Sequence, residues 1–307
     1  MFSAWVRGKE PLQRLALMFA LAFSFAACAG TQEKPKAKGP VARTIILPQK
    51  IVAGAPATLA ALDSAGRLLP NVVVELSGGQ KVTTDATGRA LFAAPAEAGR
   101  LTAKVAGQEI TASSTVVLPA NLTAQASAEG PAAVLRVASF PHVLAIHDRF
   151  TIEGRGFRGI ADVNHVSLGD QPCLVVAASP ISLVVLPGPH VPVGATSLRV
   201  SVAGYDTGQI PVSAVLLEFS GPPDAPDAGT QGKIILRVRG ATEPLAVEVR
   251  NGSPAIIQFP GGSVQRLATS GGDENIAPVE LKFLAPGSYT LTARLIPADS
   301  GSPPGRN

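Results

Sequence analysis

The sequence predicts an all-β fold in which β-sandwich domains follow one another along the chain, and three observations support this. First, 46% of the 307 residues are hydrophobic and only 16% are charged, which is enough apolar material for packed cores. Second, 31 glycines and 27 prolines divide the chain into short segments with many turns. Third, from Thr44 onwards, short apolar runs are separated by these turns at regular intervals.

The first 27 residues have the organisation of an export signal. Residues 1–14 carry three basic side chains against one acid, and residues 15–27 form an apolar run that is too short to span a bilayer. The run ends in two alanines followed directly by Cys28. This ending resembles the lipobox of bacterial lipoproteins. The resemblance implies that the Cys28 thiol carries a diacylglycerol and that cleavage before Cys28 exposes an amino terminus that is acylated. The alternatives are an ordinary signal peptide with a chance cysteine and a retained membrane helix.

Residues 28–43 are predicted to form a flexible tether, because they are polar, basic and proline-bearing and lack apolar periodicity. Two or three acyl chains hold a protein stably on a membrane. We therefore expect an exported chain that is lipid-anchored to the bacterial cell envelope. Ala29 stands where a sorting aspartate would signal retention in the inner membrane, and this favours the outer membrane.

Residues 44–118 are predicted to form the first sandwich, with turns around positions 53–54, 64–66, 77–79, 85–88 and 98–99. The segments VAGAPATL and VTTDATGRALFAAP resemble the bacterial immunoglobulin-like repeats of invasins and intimins. The resemblance implies a tight hairpin in which Asp85 hydrogen-bonds the turn backbone and Gly88 takes a positive φ. A calcium ligand is the alternative role for Asp85.

Residues 119–135 are predicted to be a linker and residues 136–216 a second sandwich. The segment FTIEGRGF, followed by VSLGDQPCLVV and VVLPGPHVPVGATSLRVSV, resembles the IPT/TIG domain of plexins and certain transcription factors. The resemblance implies that Gly154 and Gly156 let the chain bend so that Phe157 plugs one end of the sandwich. It also implies a structural or protein-contact role. DNA contact, which some relatives make, does not fit an exported chain with a small net charge.

Residues 217–297 are predicted to form a third immunoglobulin-like sandwich, and residues 298–307 a disordered tail. Side chains alternate over residues 233–238 and again over 289–295, which places every second residue on a core. The segment SGGDEN, residues 270–275, is predicted to be a turn.

The sequence offers little catalytic chemistry. The second unit holds the residues that zinc prefers, but their spacing matches no compact ligand motif: His142, His147, His165, His190 and Cys173. We expect the first, second and fourth of these in loops and the cysteine as a small buried strand residue, with a zinc site as the alternative. No nucleophile elbow, H-E-x-x-H pair or phosphate-binding glycine loop is present. We therefore predict no catalytic, cofactor-binding or metal-ligating residue and no cofactor.

These observations favour a non-enzymatic, lipid-anchored envelope protein that acts as a spacer or as a protein-binding or adhesion scaffold. Its expected partners are the membrane, through the lipid, and another envelope or extracellular protein. About half of the formal net charge of +4 belongs to the leader, so nucleic acid is not an expected partner. The alternative is surface carbohydrate binding, for which Tyr205 and Tyr289 are the available aromatic platforms. An enzyme of unrecognised type is a third class.

Overall fold

A computed structural model of the chain describes residues 41–121, 135–222, 224–225 and 227–296, and these residues belong to one compact unit. This part of the chain is nearly all strand, which confirms the predicted all-β class of immunoglobulin-like sandwiches. None of the helices found there is long and apolar enough to cross a membrane. The predicted leader, most of the tether, most of the linker and the tail lie outside the described residues.

The first sandwich packs two sheets around one core. Its strands are β1 (Thr44–Ile46), β2 (Lys50–Val52), β3 (Pro56–Leu62), β4 (Val73–Leu76), β5 (Lys81–Thr83), β6 (Arg89–Ala93), β7 (Gly99–Val105) and β8 (Thr111–Val117). One sheet has the order β2-β8-β7-β4-β5, and in the other β3 pairs with β1 and β6. Leu59 and Phe92 from one sheet meet Val74 and Leu101 from the other in the buried core. The predicted turns separate these strands, although Gly99 already begins β7.

The second sandwich is built in the same way. Its elements are β9 (Arg136–Ser139), β10 (Val143–Ala145), β11 (Phe150–Arg155), the 3-10 helix η1 (Ala161–Val163), β12 (Asn164–Leu168), β13 (Gln171–Ser179), β14 (Ser182–Leu186), β15 (Gly194–Val202), β16 (Tyr205–Asp206) and β17 (Ile210–Ser220). Strand β13 belongs to both sheets, because its beginning pairs with β12 and the rest pairs with β14. Ile152, Leu183 and Leu198 are fully buried in the core between the sheets.

The third sandwich shares a strand with the second. Its own strands are β18 (Asp224–Ala225), β19 (Gln231–Arg239), β20 (Ala246–Asn251), β21 (Ile257–Gln258), β22 (Val264–Ala268), β23 (Ile276–Phe283), β24 (Gly287–Ser288) and β25 (Leu291–Leu295). Residues 210–214 of β17 pair with β15, and residues 216–220 pair with β19. The predicted boundary between residues 216 and 217 therefore falls inside a continuous strand.

The third core lies between β17-β19-β23-β21 and the three-stranded sheet β22-β20-β25. Strand β19 alternates as predicted, with Ile234, Leu236 and Val238 buried. The second predicted alternation is also confirmed, since Tyr289, Leu291, Ala293 and Leu295 pack against this core. Residues 270–275 form the predicted turn rather than part of a strand.

A separate apolar cluster joins the first sandwich to the second. It brings Ile46, Ala60 and Leu62 of β1 and β3 against residues of β13 and β14, namely Val176, Ala177 and Val184. Strand β3 also forms a bridge to β13, between Thr58 and Ala178. We call this region the first junction. Its buried apolar side chains give the first two sandwiches a common core in addition to their own.

Candidate functional site

Cys28, the predicted lipidation site, lies outside the described residues, so its lipidation stays a prediction. Cys173, the other cysteine, lies on β13 and is half-buried rather than fully buried, with its side chain packed against the second core. Burial raises the pKa of the Cys173 thiol. A raised pKa lowers the fraction of reactive thiolate, so this cysteine has the character of a small packing residue.

The histidines do not form a cluster. His142, His147 and His190 lie in loops as predicted, whereas His165 is exposed on strand β12. The ring of His142 packs against Phe140, with the ring centroids 4.7 Å apart. Across the residues that the structure describes, no group of three or more His, Cys, Asp or Glu side chains could hold a metal ion.

The hairpin predicted around Asp85 has the expected geometry. The Asp85 carboxylate accepts hydrogen bonds from the backbone N–H of Thr87 at 2.8 Å and of Arg89 at 3.3 Å. The hydroxyl of Thr87 also donates to it at 2.6 Å, and this bond is the main reason why the pKa of Asp85 is lowered. Gly88 has a φ of +73°, and a Cβ there would lie 2.6 Å from the backbone nitrogen of Leu69. The turn therefore requires glycine for both its backbone conformation and its space.

The bend predicted after β11 is also confirmed. The pairing of β11 with β9 shifts register between Glu153 and Gly154, and a Cβ at Gly154 would meet the carbonyl oxygen of Arg136 at 2.1 Å. Gly156 has a φ of +83°. Phe157 is consequently buried in the core of the second sandwich, as the sequence predicts.

The two tyrosines considered as sugar platforms lie in different sandwiches. Tyr205 is 52% exposed on β16. It follows Ala203, which lines a shallow depression of about 490 Å³ together with Ile160, Val163 and His165. Tyr289 is half-buried, packs against Phe283 and donates a hydrogen bond to the carbonyl of Pro222. Only Tyr205 therefore presents a free ring face among these two.

Arg89 is a functional residue that sequence reasoning missed. It lies at the first junction and is only 7% exposed. Its guanidinium donates to the Thr87 hydroxyl at 3.1 Å and to the Val175 carbonyl at 3.0 Å, and it pairs with the Asp162 carboxylate at 2.6 Å. Because Val175 and Asp162 belong to the second sandwich, this one side chain connects the two domains. Arg89 follows directly after the predicted hairpin glycine, but no local pattern indicates its distant partners.

Further polar contacts cross the first junction. The Thr58 hydroxyl donates to the carbonyl of Gly159 at 2.5 Å, and the Ser179 hydroxyl donates to the carbonyl of Lys50 at 2.6 Å. A Cβ at Gly159 would lie 1.8 Å from the carbonyl oxygen of Pro56, so the close approach of the domains requires glycine there. Lys50 also pairs with Glu153 at 2.8 Å. The junction is thus both apolar and hydrogen-bonded, which fixes the geometry of its two sides.

A second charged cluster lies on the third sandwich and was also missed. Glu248 lies on β20, opposite Arg266 of β22 and Arg294 of β25, and Arg250 follows two residues later on the same side. Its carboxylate pairs with these arginines at distances of 2.8 Å for Arg250, 3.4 Å for Arg266 and 2.7 Å for Arg294. The hydrogen bond from Arg250 is the main reason why the pKa of Glu248 is lowered.

These four side chains form what we call the arginine face. Val247 and Val249 point from β20 into the third core, so the arginine face lies on the opposite side of the sheet. The Glu248 side chain is 3% exposed beneath the arginines, whose side chains are 51–75% exposed. The cluster therefore buries one negative charge and presents three positive charges to solvent.

With the fold and these sites described, comparison with known proteins identifies one domain. Residues 139–219 match the family model of the IPT/TIG domain, so this part of the chain, the second sandwich, is an IPT/TIG domain. No curated protein matches the sequence.

Three solved structures illustrate the similarity in fold. SGBP-B of the mixed-linkage glucan utilisation locus of Bacteroides ovatus, in complex with a mixed-linkage heptasaccharide, is 14% identical with a TM-score of 0.29, over 85% of this chain and 78% of that one. Domains 1–6 of the surface layer protein SbsC are 14% identical with a TM-score of 0.20, over 83% and 39%. Immunoglobulin domains 1–5 of Sidekick-1 are 14% identical with a TM-score of 0.18, over 78% and 58%. These similarities are too weak to assign a ligand or partner to this chain.

Proposed function

We propose that this protein is a non-enzymatic, lipid-anchored scaffold of the bacterial cell envelope that holds sandwich domains in a fixed arrangement for contact with another protein. Cys28 is the anchor, and the first sandwich is a bacterial immunoglobulin-like domain joined to the IPT/TIG domain. The observation that carries this proposal is the first junction. Contacts between domains of one chain are often small and polar, and such domains move relative to each other. Here a buried apolar cluster and Arg89 connect the two domains.

The continuous strand β17 supports the same function. Its two halves pair with β15 and β19, which belong to different sandwiches, so no flexible linker separates the second domain from the third. A scaffold or spacer needs domains whose relative positions persist under load. Direct strand sharing supplies such a connection, because bending it would break ladder hydrogen bonds.

The anchor can be tested by metabolic labelling. Cells that express the wild-type chain, Cys28→Ser or Cys173→Ser are grown with radiolabelled palmitate and then fractionated. We expect label in the wild type and in Cys173→Ser, which is the matched control because it removes the other cysteine. We expect neither label nor membrane retention in Cys28→Ser. Labelling of Cys28→Ser would contradict the proposed anchor.

The scaffold role can be tested by crosslinking in intact cells followed by affinity purification. We expect the wild-type protein to retain a discrete envelope or extracellular protein, and an Arg89→Met variant with a loosened first junction to retain less of it. Equal retention by both variants would show that the fixed arrangement of the domains is not required. Turnover of a substrate by the purified chain would contradict a non-enzymatic role.

Surface glycan binding is the second candidate function, and exposed Tyr205 is the observation that favours it. An exposed aromatic ring can stack on a sugar, and the nearby depression offers apolar contact. If this function holds, a glycan array should retain the wild-type protein but not Tyr205→Ala. Tyr289→Phe is the control, because Tyr289 faces the third core. An array without any bound glycan would eliminate this candidate.

A further inference from the structure

The arginine face carries more positive charge than its own structure uses. Strands β20, β22 and β25 contain three arginines and one acid, Glu248. Each guanidinium has five N–H donors, whereas the carboxylate of Glu248 is a single shared acceptor group. Neighbouring strands lie about 4.8 Å apart, so the arginines of β22 and β25 flank Glu248 within about 10 Å of each other. Repulsion over that distance is only partly screened at physiological ionic strength. An anionic partner would relieve this repulsion.

The strand beside the most exposed arginine is also an open edge. Strand β22 pairs with β20 and with no other described strand. The backbone hydrogen bonds from Asn251 to Ser263 and from Thr269 to Leu245 lie at the two ends of this ladder. In an antiparallel ladder, such hydrogen-bonded pairs alternate with non-bonded pairs. The N–H and C=O groups of Val264, Arg266 and Ala268 therefore point away from β20. An edge of this kind can accept an additional strand.

From these two observations we infer that β22 and the arginine face bind an extended, acidic segment of a partner protein. The segment adds as a fourth strand beside β22, and acidic side chains at every second position meet Arg266 and Arg250. Side chains of a strand alternate between faces, so alternate acids place all carboxylates on the arginine side. Val264, which is 36% exposed, offers apolar contact at the start of the edge. This inference rests on the proposed scaffold function, because it states the chemistry of the protein that the scaffold binds.

Both observations together favour a peptide over other anions. A lipid headgroup or an acidic polysaccharide can pair with guanidinium groups, but neither can continue the backbone ladder of a sheet. The face also lacks aromatic residues in β20, β22 and β25, which a sugar platform would use for stacking. Guanidinium groups and carboxylates pair with fixed, often bidentate geometry.

The test is a titration of the purified full chain, kept in detergent, with the peptide Thr-Glu-Val-Glu-Thr-Glu-Val. We expect binding that weakens at high salt, and a loss of about tenfold or more when glutamine replaces glutamate in the peptide. Arg266→Gln should weaken binding to a similar extent. Arg67→Gln is the matched control, because Arg67 is also an exposed arginine paired with an acid but lies in the first sandwich.

A second pair of probes separates strand addition from simple charge attraction. An N-methylated form of the peptide keeps every carboxylate but cannot donate backbone hydrogen bonds, and we expect it not to bind. Polygalacturonate and micelles containing phosphatidylglycerol should compete poorly with the unmodified peptide. If any of these probes binds as tightly as the peptide, the face is a general anion site and strand addition is wrong. If the peptide itself does not bind, the inference also fails.

Failure of this inference differs from failure of the scaffold proposal. A partner that the crosslinked wild-type protein retains, and that Arg266→Gln retains equally, would keep the scaffold function and overturn the arginine face as its contact. Peptide binding in a chain that is not retained in the envelope would keep the arginine face and overturn the proposed anchoring.

Discussion

Arg89 and Glu248 are both buried charged side chains held by opposite charges, but the two clusters differ in where their surplus charge lies. Arg89 directs its guanidinium to a hydroxyl, a carbonyl and one carboxylate, and its partners connect two domains. Glu248 is covered by three arginines that remain largely exposed. The first cluster is satisfied within the protein and stabilises a junction. The second leaves donors facing solvent and is suited to binding. Four changes can break or sharpen this contrast.

The largest effect is expected from Gly88→Ala, which disrupts the turn that presents Arg89. A non-glycine residue at positive φ costs about 1–3 kcal/mol, and overlap with the backbone of Leu69 adds a similar amount, so we expect a loss of about 3 kcal/mol in the free energy of unfolding. Gly54→Ala is the control, because Gly54 has a similar φ of +71° but open space around its Cα. Denaturant unfolding measures both. Equal losses would mean that the close contact at Gly88 is unimportant.

A smaller effect is expected from Arg89→Met, which keeps the apolar stem and removes the guanidinium. The buried carbonyl of Val175 loses its donor, and we expect a loss of about 2 kcal/mol in the free energy of unfolding. Asp162→Asn is the matched control, since the Asp162 side chain is 69% exposed and such pairs contribute at most about 1 kcal/mol. If Asp162→Asn were as costly as Arg89→Met, the ion pair rather than the carbonyl bond would hold the junction.

The third change concerns pH and Glu248. Because the pKa of Glu248 is lowered in the folded chain, this group stabilises the protein above its ordinary pKa, and the stabilisation is lost as pH falls through the lowered value. We therefore expect the melting temperature to fall as the solution is acidified below about pH 4.5. Glu248→Gln should lower the melting temperature at pH 7 and flatten its acidic decline. Parallel curves for the two proteins would contradict a stabilising role for this carboxylate.

The smallest effect on stability is expected from Arg266→Gln. The Arg266 side chain is 75% exposed, so its ion pair should contribute about 0.5 kcal/mol or less to the free energy of unfolding. Peptide binding should nevertheless be lost. This separation of binding from stability is the feature that distinguishes the arginine face from Arg89. A large loss of stability in Arg266→Gln would show that the arginine face is a structural element.

Local features of the fold were predictable from the sequence, because they depend on neighbouring residues. Asp85 and Gly88 identified a hairpin, and Gly154, Gly156 and Phe157 identified a bend that buries an aromatic ring. The alternation in β19 identified its buried face. Strand β17 marks the limit of this reasoning. Periodicity indicates a strand there, but it does not show that the two halves pair in different sandwiches.

The sequence by itself determined the all-β class, the positions of the main turns and the glycines that those turns require. It also contains the motif that predicts lipidation at Cys28. Only the tertiary structure decided which charges meet: Arg89 reaches a carbonyl 86 positions further along the chain, and Glu248 gathers arginines from three strands. The physical reason is that φ, turn chemistry and side-chain alternation act between neighbours along the chain. Ion pairing and exposure depend on distances in space, which are set only when the sheets pack.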